Sequence, residues 1–513
     1  MSFHRSSLWF PRLTALAAAL SLAYANDIEA LDRQGIGGAA YLRETYVTAH
    51  HAHRDVFSGP SVPSSASSIL RVFNCNDSGS GSLRAAANVA VSGDTIDMTE
   101  LTCSTISLSS GEVILTADDL TLLGPGVGSL DIQPIEGGTG RVLMHSGRGV
   151  LTLSGLDLRG GNYGATPASY YLRGGCLYSA GSVVLDNAKA VSCTVYNPNL
   201  NGFEIASGGG IFAYGDVHLI DSDVSFNRVA SAGAVSGGGV YAGGNLYSEG
   251  SVLNYNHIQG DNDATGGGAT ARGTVIMAKT QVKYNYASSL TFGTYTYSYG
   301  GGLFVGGSGQ ILSSFFYHNY ANNVGAISFV GGAGQAVTIT NSTISTNTAY
   351  NLLGGVFSSA PLTLSNSTIA FNRSQSTGTG YLVAAGLGIY QTTADLESSI
   401  IAQNYSPGNR QDLSGYGSTI TGSSNLVMRS LVSPPGTLTD DPLLGPLGYF
   451  GGLTYLHALA ANSPAIDHGN NNAGLTTDQR GIPYVRQYGA SVDIGAYELQ
   501  PHSQDLIFRD GFD

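Results

Sequence analysis

Apolar and polar positions alternate in short runs along the middle of this chain. Val217-His218-Leu219 sets the pattern, and Val275-Ile276-Met277, Val337-Thr338-Ile339 and Leu362-Thr363-Leu364 fall at equivalent places. A period of two puts every second side chain on one side of an extended backbone, so each run predicts a strand with one buried face. Gly, Asn, Asp and Ser separate the runs, and these residues suit corners with unusual backbone angles. Beyond residue 25, one short stretch near Ala87 is the only segment with helical spacing.

The runs belong to a repeat. GGGIFAYGDVHLIDSDVSFN (208–227), GGGVYAGGNLYSEGSVLNYN (237–256), GGGATARGTVIMAKTQVKYN (266–285) and GGGLFVGGSGQILSSFFYHN (300–319) each open on three glycines and close on an asparagine. Fainter copies start at Gly174 and Gly354. A repeat of about 29 residues carried on strands excludes the helical solenoids and predicts an all-β, right-handed parallel β-helix. Residues 111–430 would form roughly 11 coils, a rod on the order of 50 Å long at about 4.8 Å per coil.

Asn227, Asn256, Asn285, Asn319, Asn347, Asn372 and Asn404 each follow the last strand of a unit. Stacked at one corner, their amides can bond to one another. An unpartnered buried amide costs a few kcal/mol, and a ladder removes that cost. The asparagines are therefore expected to be structural. The glycine runs lead into strands, whereas a phosphate-binding loop leads into a helix, so they too read as scaffold.

Composition narrows the function. The net charge is −13, 11% of residues are charged, and Lys189, Lys279 and Lys283 are the only lysines. No basic patch exists for a nucleic acid. Residues 1–25 read as a secretory signal: His4, Arg5 and Arg12 in front, the apolar LTALAAALSL, and Ala23-Tyr24-Ala25 as the cleavage site, with cleavage after Ala25. That run is short of the roughly 18 residues of a spanning helix, and no later run approaches that length. Export permits disulfides. Cys75 and Cys103 flank the first capping unit and are expected to pair; Cys176 and Cys193 lie within one coil and form the second expected pair. Close zinc-type spacing is missing.

Exposed strand edges at the rod's ends require atypical terminal units. At the front, Ser82 is placed to cap a short helix with Leu83, Ala87 and Val91 on one face, and Gly93-Asp94-Thr95-Ile96 begins a strand. CNDSGSGSLRAAANVAVSGDTIDMTELTC (75–103) resembles the front cap of bacterial secreted β-helix proteins of the CSLREA type, with Gly81 where that motif has its cysteine. DPLLGPLGYFGGLTYLHALAANSPAIDHGN (441–470) and DQRGIPYVRQYGASVDIGAYE (478–498) resemble the choice-of-anchor Q domain of exported bacterial proteins. The repeats are more faintly similar to those of polymorphic outer-membrane proteins, Phe316 to Asn319 fitting one element, although the barrel that ends those proteins has no counterpart here. LIFRDGFD (506–513) resembles a short tail of some secreted gammaproteobacterial proteins, either a sorting signal or a frayed terminus. The resemblances imply export and a β-helix, and no settled activity.

The expected organisation is a signal over 1–25, a polar extension and linker over 26–68, a front cap over 69–110, coils over 111–430, a cap over 431–498 and a tail over 499–513. Candidate chemistry is sparse. The acidic pairs Asp118/Asp119, Asp221/Asp223, Asp261/Asp263 and Asp440/Asp441 fall at places where Asp is a good turn residue. Asp261 and Asp263 are the candidate Ca²⁺ pair, against a solvated loop. His50, His51 and His53 form a histidine cluster without a rigid element to hold a metal. Asp478, Arg480, Asp493 and Glu498 are expected to pair inside the cap. Tyr295, Tyr297 and Tyr299 share one strand face in a lengthened unit and are candidates for stacking on sugar rings, the alternative being packing between coils. The leading functional reading is a secreted or cell-surface protein with a binding or structural role, adhesin-like or glycan-contacting, without a cofactor. The alternative is a polysaccharide lyase or glycoside hydrolase on the same rod, and the expected partner is a polysaccharide or a cell surface.

Overall fold

The computed structural model describes residues 67–164, 171–197, 205–261, 263–289, 298–376, 384–407 and 411–501. The signal segment, the histidine cluster, Asn262, Tyr295, Tyr297 and the last twelve residues (502–513) lie outside them. The chain divides into Met1–Ser67 and Ser68–Asp513, and the second unit is a parallel β-helix.

One coil explains the rest. Ile211–Ala213, Val217–Ile220 and Asp223–Ser225 lie in sheets 1, 2 and 3, of 11, 13 and 12 strands. Arg228–Ser231 and Ala234–Ser236 lie in sheets 4 and 5, of eight and five strands. Every strand pairs in parallel with its equivalent one coil later: Ile211 with Val240, Val217 with Leu246, Asp223 with Val252. Val217, Val275, Val337 and Leu362 fall in one inward column of sheet 2. Sheets 1 to 3 enclose the main core. Sheets 4 and 5 pack on each other around Leu172, Val195, Ala206, Val229, Val235 and Ile258, making a fin with its own small core.

The neck between rod and fin is where the repeated Asn and Gly residues meet. Asn227 Nδ2 donates to Asn256 Oδ1 at 3.0 Å, and the relay continues through Asn285, Asn319, Asn347, Asn372 and Asn404 at 2.9–3.0 Å per step. The second amide proton is used as well, as in Asn256 Nδ2 to Val224 O at 2.8 Å. The relay ends at Asp412, whose Oδ1 accepts from Asn404 Nδ2 at 2.9 Å. At its other end, Oδ1 of Asn227 accepts from Cys193 N, and Cys193 is bonded to Cys176. Each glycine in the run opposite answers a different constraint. Gly208, at φ +66°, turns the chain sharply from sheet 5 into sheet 1; a Cβ on Gly209 would strike the Gly238 carbonyl of the next coil; a Cβ on Gly210 would lie 2.8 Å from Asn227 Nδ2.

The front cap holds one helix, α1 (Leu83–Val89), with Ser82 Oγ accepting from Ala85 N at 3.2 Å. It buries Leu83, Ala86 and Ala87. Val91 does not join them: the helix ends at Ala90, Val91 N donates to Asp94 Oδ2, and the side chain is exposed. Asp94–Asp97 is also not the first strand, because Ile69–Arg71 pairs with it from the outside. Cys75 is bonded to Cys103 beside α1. Among the described residues no helix is long and apolar enough to cross a membrane.

The C-terminal segment does more than close the last coil. It folds back over the outer face of sheet 3: Asn470 O accepts from Asn366 Nδ2, Thr477 O from Asn341 Nδ2, Gln479 Oε1 from Thr343 Oγ1, and Leu453 O from Gln281 Nε2. Two fully buried ion pairs tie it together, Arg480–Asp478 at 2.5 Å and Arg486–Glu498 at 2.9 Å. Arg486 also donates to the carbonyls of Asp493, Gly495 and Tyr497. Burial pushes the carboxyls of Asp493 and Glu498 up, against the pull of Arg486.

Candidate functional site

The C-terminal segment reaches back along the outer face of sheet 3 to Gln281, and on the coils before it that face is partly open, with Lys189, Asp223 and Asn254 half-buried and Val191 and Ser225 buried. One outward column there reads Asp131, Asp157, Lys189, Asp223, Val252, Gln281, and another reads Arg159, Val191, Ser225, Asn254, Lys283. Two of the three lysines of the chain stand on this face. Asp157 is wholly buried, accepts from Gly128 N, and holds Lys189 Nζ at 3.3 Å. It orients Lys189 and is closed to a ligand. Asp223 is half-buried and accepts from Ser225 Oγ. Burial raises its carboxyl above the usual range; burial lowers the Lys283 ammonium, opposed by Asp223. Lys283 Nζ donates to Gln281 Oε1 at 3.0 Å, and the Tyr455 ring of the C-terminal segment stands 5.9 Å from it. Asn254 Oδ1, between them, is buried and accepts no hydrogen bond among the described residues.

Aromatic columns edge this floor. The residue before each ladder asparagine takes a left-handed conformation, at φ +59° for Phe226, +51° for Tyr255, +55° for Tyr284 and +50° for His318. This reverses the chain so that the asparagine turns in while its predecessor stays outside. The four rings stack coil on coil, at 5.2, 4.7 and 5.3 Å between centroids and within 9° of parallel. The residue after each asparagine builds a second column: Arg228, His257, Tyr286 and Tyr320 in register on sheet 4. His257 meets Tyr286 edge-on at 4.8 Å, and Tyr286 stacks on Tyr320 at 4.7 Å. The first column is the more open, with Phe226 58%, Tyr255 47% and Tyr284 36% exposed. Stacking turns ring edges and phenol hydroxyls outward, and Phe226, with no ring stacked on its far side among the described residues, ends the comb. The result is a strip parallel to the rod axis, beside a floor on which the Asp223 carboxyl, the Gln281 amide and the Lys283 ammonium are half-buried.

The sequence singled out other places. Asp261 and Asp263 are half-buried, and burial raises the Asp263 carboxyl. Among the described residues no group of three or more His, Cys, Asp and Glu is gathered to hold a metal. Tyr299 lies in the two-residue strand Ser298–Tyr299 and is 6% exposed, with its side chain inside. Asp221 and Asp223 part company: Asp221 sits at a corner with φ +46°, whereas Asp223 opens a strand of sheet 3. Asp118 and Asp119 accept from Arg148 N and Val150 N of the next coil, and Asp441 from Gln403 and Leu443 N. Sequence reasoning passed over the aromatic strip and Lys283. The signal was present, since Phe, Tyr, Tyr and His precede Asn227, Asn256, Asn285 and Asn319, yet it was read only through the asparagine.

No protein-family model matches the chain, and no curated protein matches it. A solved structure, that of the pectate lyase Pel9A, is similar to it with 15% identity over 85% of this chain and 97% of that one, at a TM-score of 0.35. That likeness adds nothing to the reading of the site.

Proposed function

We propose that this is an exported glycan-binding protein, which holds a polysaccharide along the strip formed by Phe226, Tyr255, Tyr284 and His318. The observation that carries the reading is a four-coil aromatic comb kept in the open beside the half-buried Lys283, whose ammonium carries two protons beyond the one given to Gln281. The comb turns tyrosine ring edges and hydroxyls outward, which can pack on the C–H groups and bond the hydroxyls of a sugar, and Gln281 and Lys283 can pair with sugar hydroxyls. An extended polymer lying along the rod axis would touch every coil in turn. Two disulfides fit an oxidising compartment outside the cytoplasm. A titration of the purified protein with soluble neutral and acidic polysaccharides tests this. The double variant Tyr255→Ala/Tyr284→Ala is expected to bind at least about tenfold more weakly, which the loss of two tyrosine hydroxyl and ring-edge contacts accounts for. Its melting temperature should stay close to that of the parent, because the rings are largely outside. Unchanged affinity would remove the strip from the account.

One observation favours a second reading, cleavage of the bound glycan. Asp223 and Lys283 are shifted toward each other, the carboxyl up and the ammonium down, as a general acid and base on one surface require. New reducing ends released from a polysaccharide by the parent and not by Lys283→Ala would support it. No release by the parent from any polysaccharide that binds would end it.

A further inference from the structure

The far side of the fin carries a second constellation. Arg173 ends the outermost strand of sheet 5 (Tyr171–Arg173), just before the sharp turn at Gly174, and reaches over the outer face of sheet 1. Its guanidinium carbon lies 4.9 Å from each of three ring centroids, those of Tyr171, Phe212 and Tyr214. Nη1 donates to the Tyr214 hydroxyl, a neutral acceptor. Nε is buried with no hydrogen-bond partner. Among the described residues no carboxylate pairs with Arg173, whereas Arg71, Arg84, Arg159, Arg480 and Arg486 each have one. Arg141 stands beside it, donating from Nε to Arg173 O at 2.8 Å, stacked 3.6 Å from the Tyr163 ring and paired with Glu112 at 3.0 Å. Both guanidiniums act on the Tyr178 phenol, which burial and Tyr214 push up and Arg173 and Arg141 pull down. Among the described residues, Arg173, Arg141 and Glu112 bring two cations and one anion to this cluster, in a chain whose net charge is −13. The cluster is open: Tyr171 is 56% and Tyr214 49% exposed, over a floor of Phe212 at 2%.

A half-buried guanidinium with unmet charge is costly unless an anion completes it. A planar carboxylate answers a guanidinium with two parallel hydrogen bonds, and exposed tyrosine rings suit the apolar face of the ring that bears it. We propose that Arg173, framed by Tyr171 and Tyr214, is a subsite for the carboxylate of an acidic sugar. This deepens the glycan reading and rests on it for the ring, while the charge preference rests on Arg173 alone.

The test is calorimetric titration of the full chain with a galacturonate oligomer and with the same oligomer fully methyl-esterified. The parent is expected to bind the acid form at least about tenfold more tightly, the worth of a charge-assisted pair, and to lose that preference in high salt. Arg173→Gln should bind both forms alike, and Arg173→Lys should keep part of the preference; circular dichroism checks that each is folded. The comb variant Tyr255→Ala/Tyr284→Ala should weaken both forms while leaving their ratio intact, so failure of the comb and failure of this subsite read differently. Equal affinity of the parent for the two forms, binding of neither, or a preference that survives Arg173→Gln would overturn the proposal.

Discussion

Asp412 stands where the relay of ladder amides needs an acceptor and no further donor, and a carboxylate supplies that. Its Oδ1 takes both the backbone and side-chain N–H of Asn404, at 2.7 and 2.9 Å. Burial nevertheless dominates: the side chain is 1% exposed, and its pKa is raised from 3.8 to about 6. A folded-state pKa above the unfolded one means that the native protein binds the proton more tightly. The stability this residue contributes is therefore complete below about pH 4 and is lost as pH rises through about 6, a change on the order of 3 kcal/mol. Denaturant titrations across that window should show the loss in the parent and a flatter profile in Asp412→Asn. An identical slope in both would mean that Asp412 is not the group responsible. The sequence gives little warning of this residue, because the relay passes from Asn404 to a partner only eight positions on, outside the period of the repeat.

At the scale of the element, the glycine run and the asparagine form one device, in which the run lets two backbones approach so that the amides can bridge coils. A methyl group on Gly238 would overlap the Gly267 carbonyl of the next coil and press on Ile258 Cγ2 at 3.1 Å, and none of these can move without opening the neck. Gly238→Ala is expected to cost about 3 kcal/mol, the upper end of overpacking penalties. Gly332→Ala has nothing within 4 Å of the added carbon and should leave stability nearly unchanged. Thermal melts of the pair provide the comparison, and equal losses would refute this account of the run. The strands, the ladder and the scaffold role of the glycines were legible because each is local and periodic. The fin was not. Its strands, such as Arg228–Ser231 and Ala234–Ser236, look like any other short apolar run, and only the third dimension tells that they leave the main core and close on each other.

For the whole molecule, the decisive event is how far the C-terminal segment reaches. It covers sheet 3 from the last coils back to Gln281, and Tyr455 and Leu453 bound the open floor that begins there. A cap resemblance in the sequence speaks of closing an end, not of shaping a face, so the position of the site was out of reach of the sequence. Its ingredients were not hidden: Lys283 is one of three lysines, and Tyr255 and Tyr284 each stand before a ladder asparagine. What the sequence lacked was the knowledge that columns four coils long, separated by about 29 residues per step, share one exposed strip. The fin then separates this strip from the Arg173 cluster, giving two surfaces of different character on one rod: a comb with polar neighbours, and a cation framed by rings. The most direct measurement is a crystal structure of the protein grown with the tightest-binding oligosaccharide. The expected result is sugar density along Phe226, Tyr255, Tyr284 and His318, with hydroxyls within hydrogen-bond reach of Gln281 and Lys283; ordered sugar elsewhere, with that strip bare, would contradict the account.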